Sequence, residues 1–302
     1  MRWVVGIDEA GYGPNLGPLS QTAVAVELPD DDPAGWDALR DHIRRVGGSR
    51  KDLRPRVDDS KRLNQGPNGF RKLEHGLAAV GGVGGTVGEF LDPVALAGVL
   101  DDLRGEAWFD PGEQLPLFEL PPASVPVGRL LGVQLLPTPL FNRIVAGSNS
   151  KGTALAVGLS ALLTAAHDKL PAGEPTTVLC DKQGGRTFYG PVLQAAFPDA
   201  WIVTELETAG ESRYRVERLD RELLVVVKPR ADAEGVSVAL ASMAAKYLRE
   251  VCMGQFNRFW AGHVPGIKPT AGYPVDAVRF YQQIRPAMER LGFNEAQVWR
   301  SR

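Results

Sequence analysis

The chain opens on a short apolar run that stops at two adjacent carboxylates and then breaks: Trp3 to Pro18, WVVGIDEAGYGPNLGP. Trp3, Val4, Val5 and Ile7 have the aromatic and β-branched character of a buried strand, while Gly11, Gly13, Pro14, Asn15, Gly17 and Pro18 let neither helix nor strand continue. Asp8 and Glu9 therefore stand at the C-terminal end of a strand. Successive strand residues point to opposite faces, so the pair serves one site only where the chain twists or bends at Glu9, which the glycines permit. An acidic turn capping a sheet edge looks the same in this window, so the rest of the chain has to decide.

At 302 residues and 44% hydrophobic content the chain buries a full core, as one elaborated domain or two small ones. A net charge of -2 gives no global pull toward a polyanion, so such a partner needs a local basic face. Cys180 and Cys252 are too few for a disulfide framework, and there is neither a charged-then-apolar leader nor an apolar run of membrane-spanning length. The expectation is a monomer in a reducing cytoplasm, with no membrane partner. His42, His75, His167 and His263 lack the close spacing of a zinc site, which favours a hard metal held by oxygens.

Downstream, Thr22 to Leu28 reads as a strand antiparallel to the first, and Pro33 to Arg45 as a helix. Gly47 to Leu63 is basic and turn-rich, with Arg50, Lys51, Arg54, Arg56, Lys61 and Arg62, either a solvated surface or a phosphate-facing loop. Phe70 to Ala79 predicts a helix, Thr86 to Phe90 a strand and Asp92 to Leu103 a helix. Asp110 to Pro126, rich in proline and acid, reads as an insertion outside the core. Val127 to Leu136 predicts a strand, and Phe141 opens one long helical pattern that ends before Pro171. Strand and helix then alternate: Thr176 to Cys180, Pro191 to Phe197, Trp201 to Leu206. In the hairpin from Ser212 to Lys228, Arg213, Arg215 and Arg218 alternate with Tyr214, Val216 and Leu219, so that one face carries cations. Ser237 is the expected N-cap of a helix to about Trp260, and a Gly-Tyr-Pro turn at Gly272 to Pro274 precedes one or two short helices.

A meander followed by βα alternation implies a mixed sheet with helices on both sides. If Thr176 to Cys180 lies parallel beside the first strand, Asp181 emerges with Asp8 and Glu9 at the edge where open α/β sheets place their sites. Ionised carboxylates about 4 Å apart repel by about 4 kcal/mol per pair at an effective dielectric near 20, so the cluster calls for a cation. All-oxygen sites suit Mg2+ or Mn2+, and two such ions activate water and stabilise the leaving oxygen in phosphodiester cleavage. The Ser237 helix offers Glu250 as a fourth acid; the competing reading is a surface pair with Lys246, one turn away.

GIDEAGYGPNLGP, then DSKRL at Asp59 to Leu63, the apolar strand into Asp181, and SVALASMAAKYLRE at Ser237 to Glu250 resemble, in the same order, the successive motifs of ribonuclease HII. The resemblance covers most of the chain. It implies an α/β, ribonuclease H-like fold with a mixed five-stranded sheet flanked by helices, the catalytic domain being 1–262 with an insertion around 90–126, and a helical C-terminal segment at 263–302. Carried over by position, it makes Asp8, Glu9, Asp181 and Glu250 the metal-binding and catalytic acids. Lys61 and Lys246 fall on its phosphate-side lysines, and Tyr273 on the tyrosine that packs against the sugar beside the cleaved ribonucleotide. The chain departs from the pattern at several places. Gly11, Tyr12 and Gly13 stand where the family has a Gly-Arg-Gly turn reading the junction ribose. Glu250 stands for an aspartate, Lys182 for a glycine, and the histidine after the Gly-Tyr turn is missing.

Three functions compete on this reading. The first is a metal-dependent endonuclease acting on RNA in RNA/DNA hybrids or on ribonucleotides embedded in duplex DNA. The second is a nucleic-acid-binding protein of the same fold with impaired turnover, motivated by Tyr12 and Lys182; retention of four acids argues against it. The third is a dinucleotide-binding enzyme, suggested by Gly11, Gly13 and Gly17, but their spacing is one residue too long and the acid pair suits a pyrophosphate poorly.

Overall fold

The computed structural model describes residues 1–45, 47, 51–121 and 125–301. Arg50 of the basic segment lies outside the described residues. The chain runs through β1 (Arg2–Ala10), β2 (Leu19–Leu28), α1 (Ser60–Leu63), α2 (Gly69–Gly76), β3 (Gly85–Thr86), α3 (Val87–Leu91), α4 (Val99–Arg104), β4 (Gln114–Leu115) and β5 (Gly128–Leu136). It continues through α5 (Thr138–Ser148), α6 (Lys151–Lys169), β6 (Thr176–Asp181), α7 (Gly190–Ala196), β7 (Trp201–Glu207), β8 (Ser212–Glu217) and β9 (Leu223–Lys228). The last four helices are α8 (Ala231–Glu234), α9 (Val236–His263), α10 (Pro274–Leu291) and α11 (Glu295–Val298).

The expected mixed sheet flanked by helices is present, and it is larger than five strands. Seven strands lie in the order β5-β2-β1-β6-β9-β8-β7, because the β7–β8 hairpin adds its edge to β9. β1 is central, antiparallel to β2 and parallel to β6, with Ile7 beside Cys180. β6 is in turn parallel to β9, with Cys180 beside Val227. Strand alternation sends Val4 into the core under α9 and Val5 and Ile7 into the core under α6 and α7, so β1 is buried on both faces.

Helix α9 is the spine of its layer. Its small and apolar residues run around the whole circumference, and 19 of its 28 residues are buried, the pattern of a core helix. It lies so close to β1 that a Cβ on Gly6 would meet the Ser237 carbonyl carbon at 2.1 Å. α10 closes the far side of the same core through Ala277, Phe280 and Ile284, next to Phe256 and Trp260.

Several local expectations change in the fold. Pro33 to Arg45 forms successive turns instead of a helix, because the Asp32 carboxylate takes the Gly35 and Ala38 amides at 3.0 and 2.9 Å. Thr86 caps a helix in place of a strand: its hydroxyl accepts from the Glu89 amide at 3.1 Å and Glu89 accepts from the Thr86 amide at 2.7 Å. Of Asp92 to Leu103 only Val99 onward is helical, since Leu96 donates to the Val133 carbonyl and Val133 to that of Val94. The long pattern from Phe141 is two helices, broken at Asn149 in the left-handed region at φ 52°. Gly235, not Ser237, is the N-cap of α9.

The proline-rich stretch is docked onto the body. Buried Glu74 accepts from the Leu117 amide at 2.7 Å, the Phe118 amide at 2.9 Å and the Tyr247 hydroxyl at 2.7 Å, and Gln255 bridges to Asp110. On the outer hairpin, Arg215 meets Glu217 at 3.0 Å and Glu205 at 3.4 Å, and Arg213 pairs with Glu211. Two cations of the expected row are therefore neutralised, and the third, Arg218, lies past the end of β8 in the left-handed region at φ 65°, over the Trp201 ring.

The Gly6 contact yields a direct test. Gly6→Ala inserts a methyl group where only backbone atoms can give way, so it should lower unfolding free energy by about 1 to 3 kcal/mol or more, the range for overpacked cores. A denaturation midpoint equal to wild type would show that α9 does not depend on this approach.

Candidate active site

Parallel strands β1, β6 and β9 deliver their C-terminal residues to one edge, and acids follow each of them. Asp8 and Glu9 come from β1 and Asp181 from β6; Asp232 follows β9 in the short helix α8. All four line a cavity of about 290 Å³. Arg230, at φ 60°, turns the chain from β9 into α8, and Asp181 Oδ1 accepts from the Ala231 amide at 3.1 Å, fixing α8 against the end of β6.

Asp8 is 6% exposed and accepts from the Glu9 amide at 2.7 Å. Burial pushes its pKa up to about 7, with Asp181 adding to the rise; the Ser242 hydroxyl, which donates to it, opposes. Burial also raises Glu9 well above the ordinary carboxylate range, reinforced by Asp8 and Asp181 and relieved by Lys61. Asp232 is raised by burial first and then by Asp181 and Asp59, with Lys61 again opposing. Ser242 reaches this cluster from α9 and lies 3.0 Å from the Ser60 hydroxyl, which ties α1 and Lys61 to the rim.

The remaining expected site residues divide. Gly11, Tyr12, Gly13, Lys61, Lys246 and Tyr273 all line the cavity. Tyr273 is 50% exposed, so its ring is free to receive a flat ligand. Tyr12 lies under the Lys151 ammonium, 5.1 Å from its ring centre. Lys182 turns away: its ammonium donates to the Thr208 and Ala209 carbonyls at 3.2 and 2.7 Å. In the basic segment, Arg62 is engaged by Asp58 at 3.2 Å and Arg54 by Asp52 at 2.7 Å, which leaves Lys61 as its cavity-lining cation among the described residues.

Glu250, the fourth acid that the resemblance implies, stands beside the cavity-lining Lys246 on α9. It is not among the cavity-lining residues; its carboxylate is held by Lys246, one turn back on α9, and by Arg249 at 3.5 Å. Asp232, which the sequence reading did not single out, lines the cavity with Asp8, Glu9 and Asp181. The signal was in the sequence, since Leu223 to Val227 ends in an acid-bearing turn as Thr176 to Cys180 does, but only the parallel pairing of β9 with β6 gives that turn the same edge. Ser60 and Ser242 carry no such signal, because a serine on an apolar helix reads as a small packing residue.

Two buried arginines hold the glycine turn. Arg249, fully buried, donates to the Ala271 carbonyl at 2.9 Å and lies so near Gly11 that a Cβ there would meet its Nε at 2.4 Å. Arg300, also fully buried, donates to the carbonyls of Gly11 and Pro14 and stacks 4.7 Å over Phe141. Burial, then Arg249, lowers its pKa to about 9. With Gly11 in the left-handed region at φ 92°, these contacts leave the turn one shape.

Among the described residues, no three His, Cys, Asp or Glu side chains stand in metal-ligating geometry. The donor set nonetheless fits a hard divalent cation. Glu9 Oε2 is buried without a hydrogen-bond partner, the carboxylates raise one another, and all offered atoms are oxygens. The residues that would hold the ion are Asp8, Glu9, Asp181 and Asp232.

No family model matches the sequence, nor does any curated protein. Solved structures do share its fold. Ribonuclease H2 from Pyrococcus horikoshii OT3 superposes with a TM-score of 0.51 at 17% identity, over 98% of this chain and 92% of that one. Bst-RNase HIII in complex with Mn2+ gives 0.51 at 15% identity over 99% of this chain, and a mutant protein of the same Bst-RNase HIII gives 0.51 at 16% over 99%. This chain spans 65% and 66% of those two chains. The fold is therefore ribonuclease H-like.

The raised carboxylates set a pH dependence. A carboxyl whose folded pKa lies above its unfolded value stabilises fully below the unfolded pKa and loses that contribution as pH rises through the folded one. For Asp8 the window runs from 3.8 to about 7. In chelator, wild type should lose a few kcal/mol relative to Asp8→Asn across this window, and a divalent cation at neutral pH should restore it. Parallel pH profiles of the two proteins, followed by thermal unfolding, would refute the assignment.

Proposed function

We propose that the protein is a divalent-metal-dependent endonuclease of the ribonuclease HII type, hydrolysing phosphodiester bonds of RNA in RNA/DNA hybrids or of ribonucleotides embedded in duplex DNA. The observation that carries this reading is the convergence of Asp8, Glu9, Asp181 and Asp232 in one cavity with Lys61 and Lys246 beside them. A negative cluster flanked by cations suits a cation in the centre and phosphates at the rim, and a fold shared with a ribonuclease H2 and a Mn2+-bound ribonuclease HIII supports it.

Mg2+ or Mn2+, when bound, supplies Lewis acidity and lowers the pKa of water. The chain's own groups do the rest. Lys61 and Lys246 meet the phosphate charge, and Lys246 is held in position by Glu250. The Gly11 and Gly13 backbone borders the sugar, and the exposed ring of Tyr273 packs on its flat side. Ser242 holds a hydrogen bond on Asp8 and keeps its carboxylate oriented. With Lys182 drawn off to the β7–β8 turn, Tyr12 is the remaining departure that favours an impaired binder.

Cleavage assays with Mg2+ or Mn2+ on a continuous hybrid, a lone embedded ribonucleotide and plain DNA test the reading, with Asp8→Asn as the blank. Asp232→Asn should lower turnover by roughly a hundredfold or more, the scale of removing one transition-state stabiliser. Glu250→Gln should stay within about tenfold of wild type. The reverse ranking would return Glu250 to the site, and activity of Asp8→Asn equal to wild type would end the nuclease reading.

Tyr12 sets the expected specificity. A phenol offers one hydroxyl where a guanidinium gives a charged fork, and losing a charged hydrogen bond costs about 1.5 to 3 kcal/mol. Continuous hybrids should then be cut at least as well as a lone ribonucleotide, with Tyr12→Arg shifting preference toward the latter by roughly tenfold to a hundredfold. A wild type that strongly prefers the lone ribonucleotide, unchanged by Tyr12→Arg, would contradict this account of the turn.

A further inference from the structure

A second pocket, of about 440 Å³, shares no lining residue with the carboxylate cavity and has the opposite charge. Helix α2 contributes Arg71, Lys72 and His75, which with the capping Asn68 are spaced i, i+3, i+4, i+7 and so form one helical face. Arg44 and Arg56 line it from the segment that crosses this face, where the two residues form a backbone bridge. Four permanent cations thus share the pocket with one lining carboxylate, Asp52.

That carboxylate is already engaged. Asp52 pairs with Arg54 at 2.7 Å and lies 3.8 Å from Arg44. Two of the other cations are met by backbone oxygens: Arg71 donates to the Glu119 carbonyl at 2.8 Å, and Lys72 to that of Gln65 at 3.4 Å. Arg44 donates to the Arg54 and Gly47 carbonyls. A carbonyl fixes a guanidinium in place but does not cancel its charge. Burial and neighbouring cations act together on two groups. Arg44 is held below its ordinary pKa by burial and then by Arg56, and His75 by burial and then by Arg44, Arg56 and Arg71.

We propose that this pocket is a phosphate-binding site, separate from the carboxylate cavity, which holds a backbone phosphate of a bound nucleic acid a few nucleotides from the cleaved linkage. Arg56 lies four residues before Ser60 on the cavity rim, at most about 14 Å along the chain. Both walls rest on α9, since Gly76 of α2 packs against Met243, the neighbour of Ser242. With about 3.4 Å of helical rise per phosphate on one strand, the two sites fall within a few nucleotides of each other. Affinity for phosphate rests on the pocket alone; the source of that phosphate rests on the proposed function.

The test uses full-length protein in chelator, with Arg56→Ala/Arg71→Ala and, as an independent variant, Lys72→Glu, each checked for wild-type thermal unfolding. Pyrophosphate is titrated against the NMR resonances of the His75 imidazole, and binding of a labelled RNA/DNA hybrid is measured across a salt series. The expected result is that millimolar pyrophosphate moves the His75 resonances in wild type but not in the double variant. The hybrid's log affinity against log salt should flatten by about 1 unit in the variants, the value for one phosphate no longer neutralised. If His75 does not respond to pyrophosphate and the slopes are equal, the site is refuted. If His75 responds and the slopes are equal, the backbone assignment is overturned and the pocket takes a free phosphate compound. Pyrophosphate binding by a wild type with no affinity for the hybrid would sink the proposed nucleic-acid substrate while leaving the phosphate site intact.

Discussion

The backbone contact between Gly6 and the first turn of α9 sets the geometry of everything around it. Removing the side chain at the centre of β1 lets a 28-residue helix lie directly on the sheet, and the helix then serves the edge as well as the core. One turn after the contact it supplies Ser242 to the carboxylates; a further turn on, Lys246 to the rim; and after that Arg249 to the glycine turn. A larger residue at position 6 would push the whole series outward together. Interiors packed at crystal density have no slack to absorb such a shift locally.

Charge in this protein is arranged by neighbourhood more than by net balance. The chain as a whole carries only -2, yet it gathers four acids in one cavity and four permanent cations in the next. Each cluster costs folding free energy while its charges face one another, and a ligand of opposite sign would relieve each. Between them, ordinary pairs such as Arg62 with Asp58 and Arg215 with Glu217 neutralise cations that spacing alone would assign to phosphate. Fully buried Arg249 and Arg300 have a third role: Arg300 donates to the Gly11 and Pro14 carbonyls of the turn that borders the site, and Arg249 to those of Leu16 and Ala271.

Local signals in the sequence failed where a single side chain redirected the backbone. Asp32 turned an expected helix into turns, and the reciprocal Thr86 and Glu89 bonds turned an expected strand into a helix. The pairing of Val94 and Leu96 with Val133 unwound the start of another helix. The proline-rich stretch was legible as irregular but not as docked, since the three donors that satisfy Glu74 come from positions 43, 44 and 173 residues away.

By itself the sequence determined the strand that ends at Asp8 and Glu9, the glycine turn after it, the parallel strand into Asp181 and the long buried helix, because periodicity and turn chemistry are local properties. It also contained the motif order that implied a ribonuclease H-like fold. Tertiary structure alone brought Asp232 to the cavity. Asp232 stands there because β9 lies parallel to β6, which carries the turn after it to the shared edge, while Glu250 is engaged by Lys246 and Arg249. It likewise decided which cations remain unneutralised, since that depends on carboxylates brought near by folding, over distances that no spacing in the chain encodes.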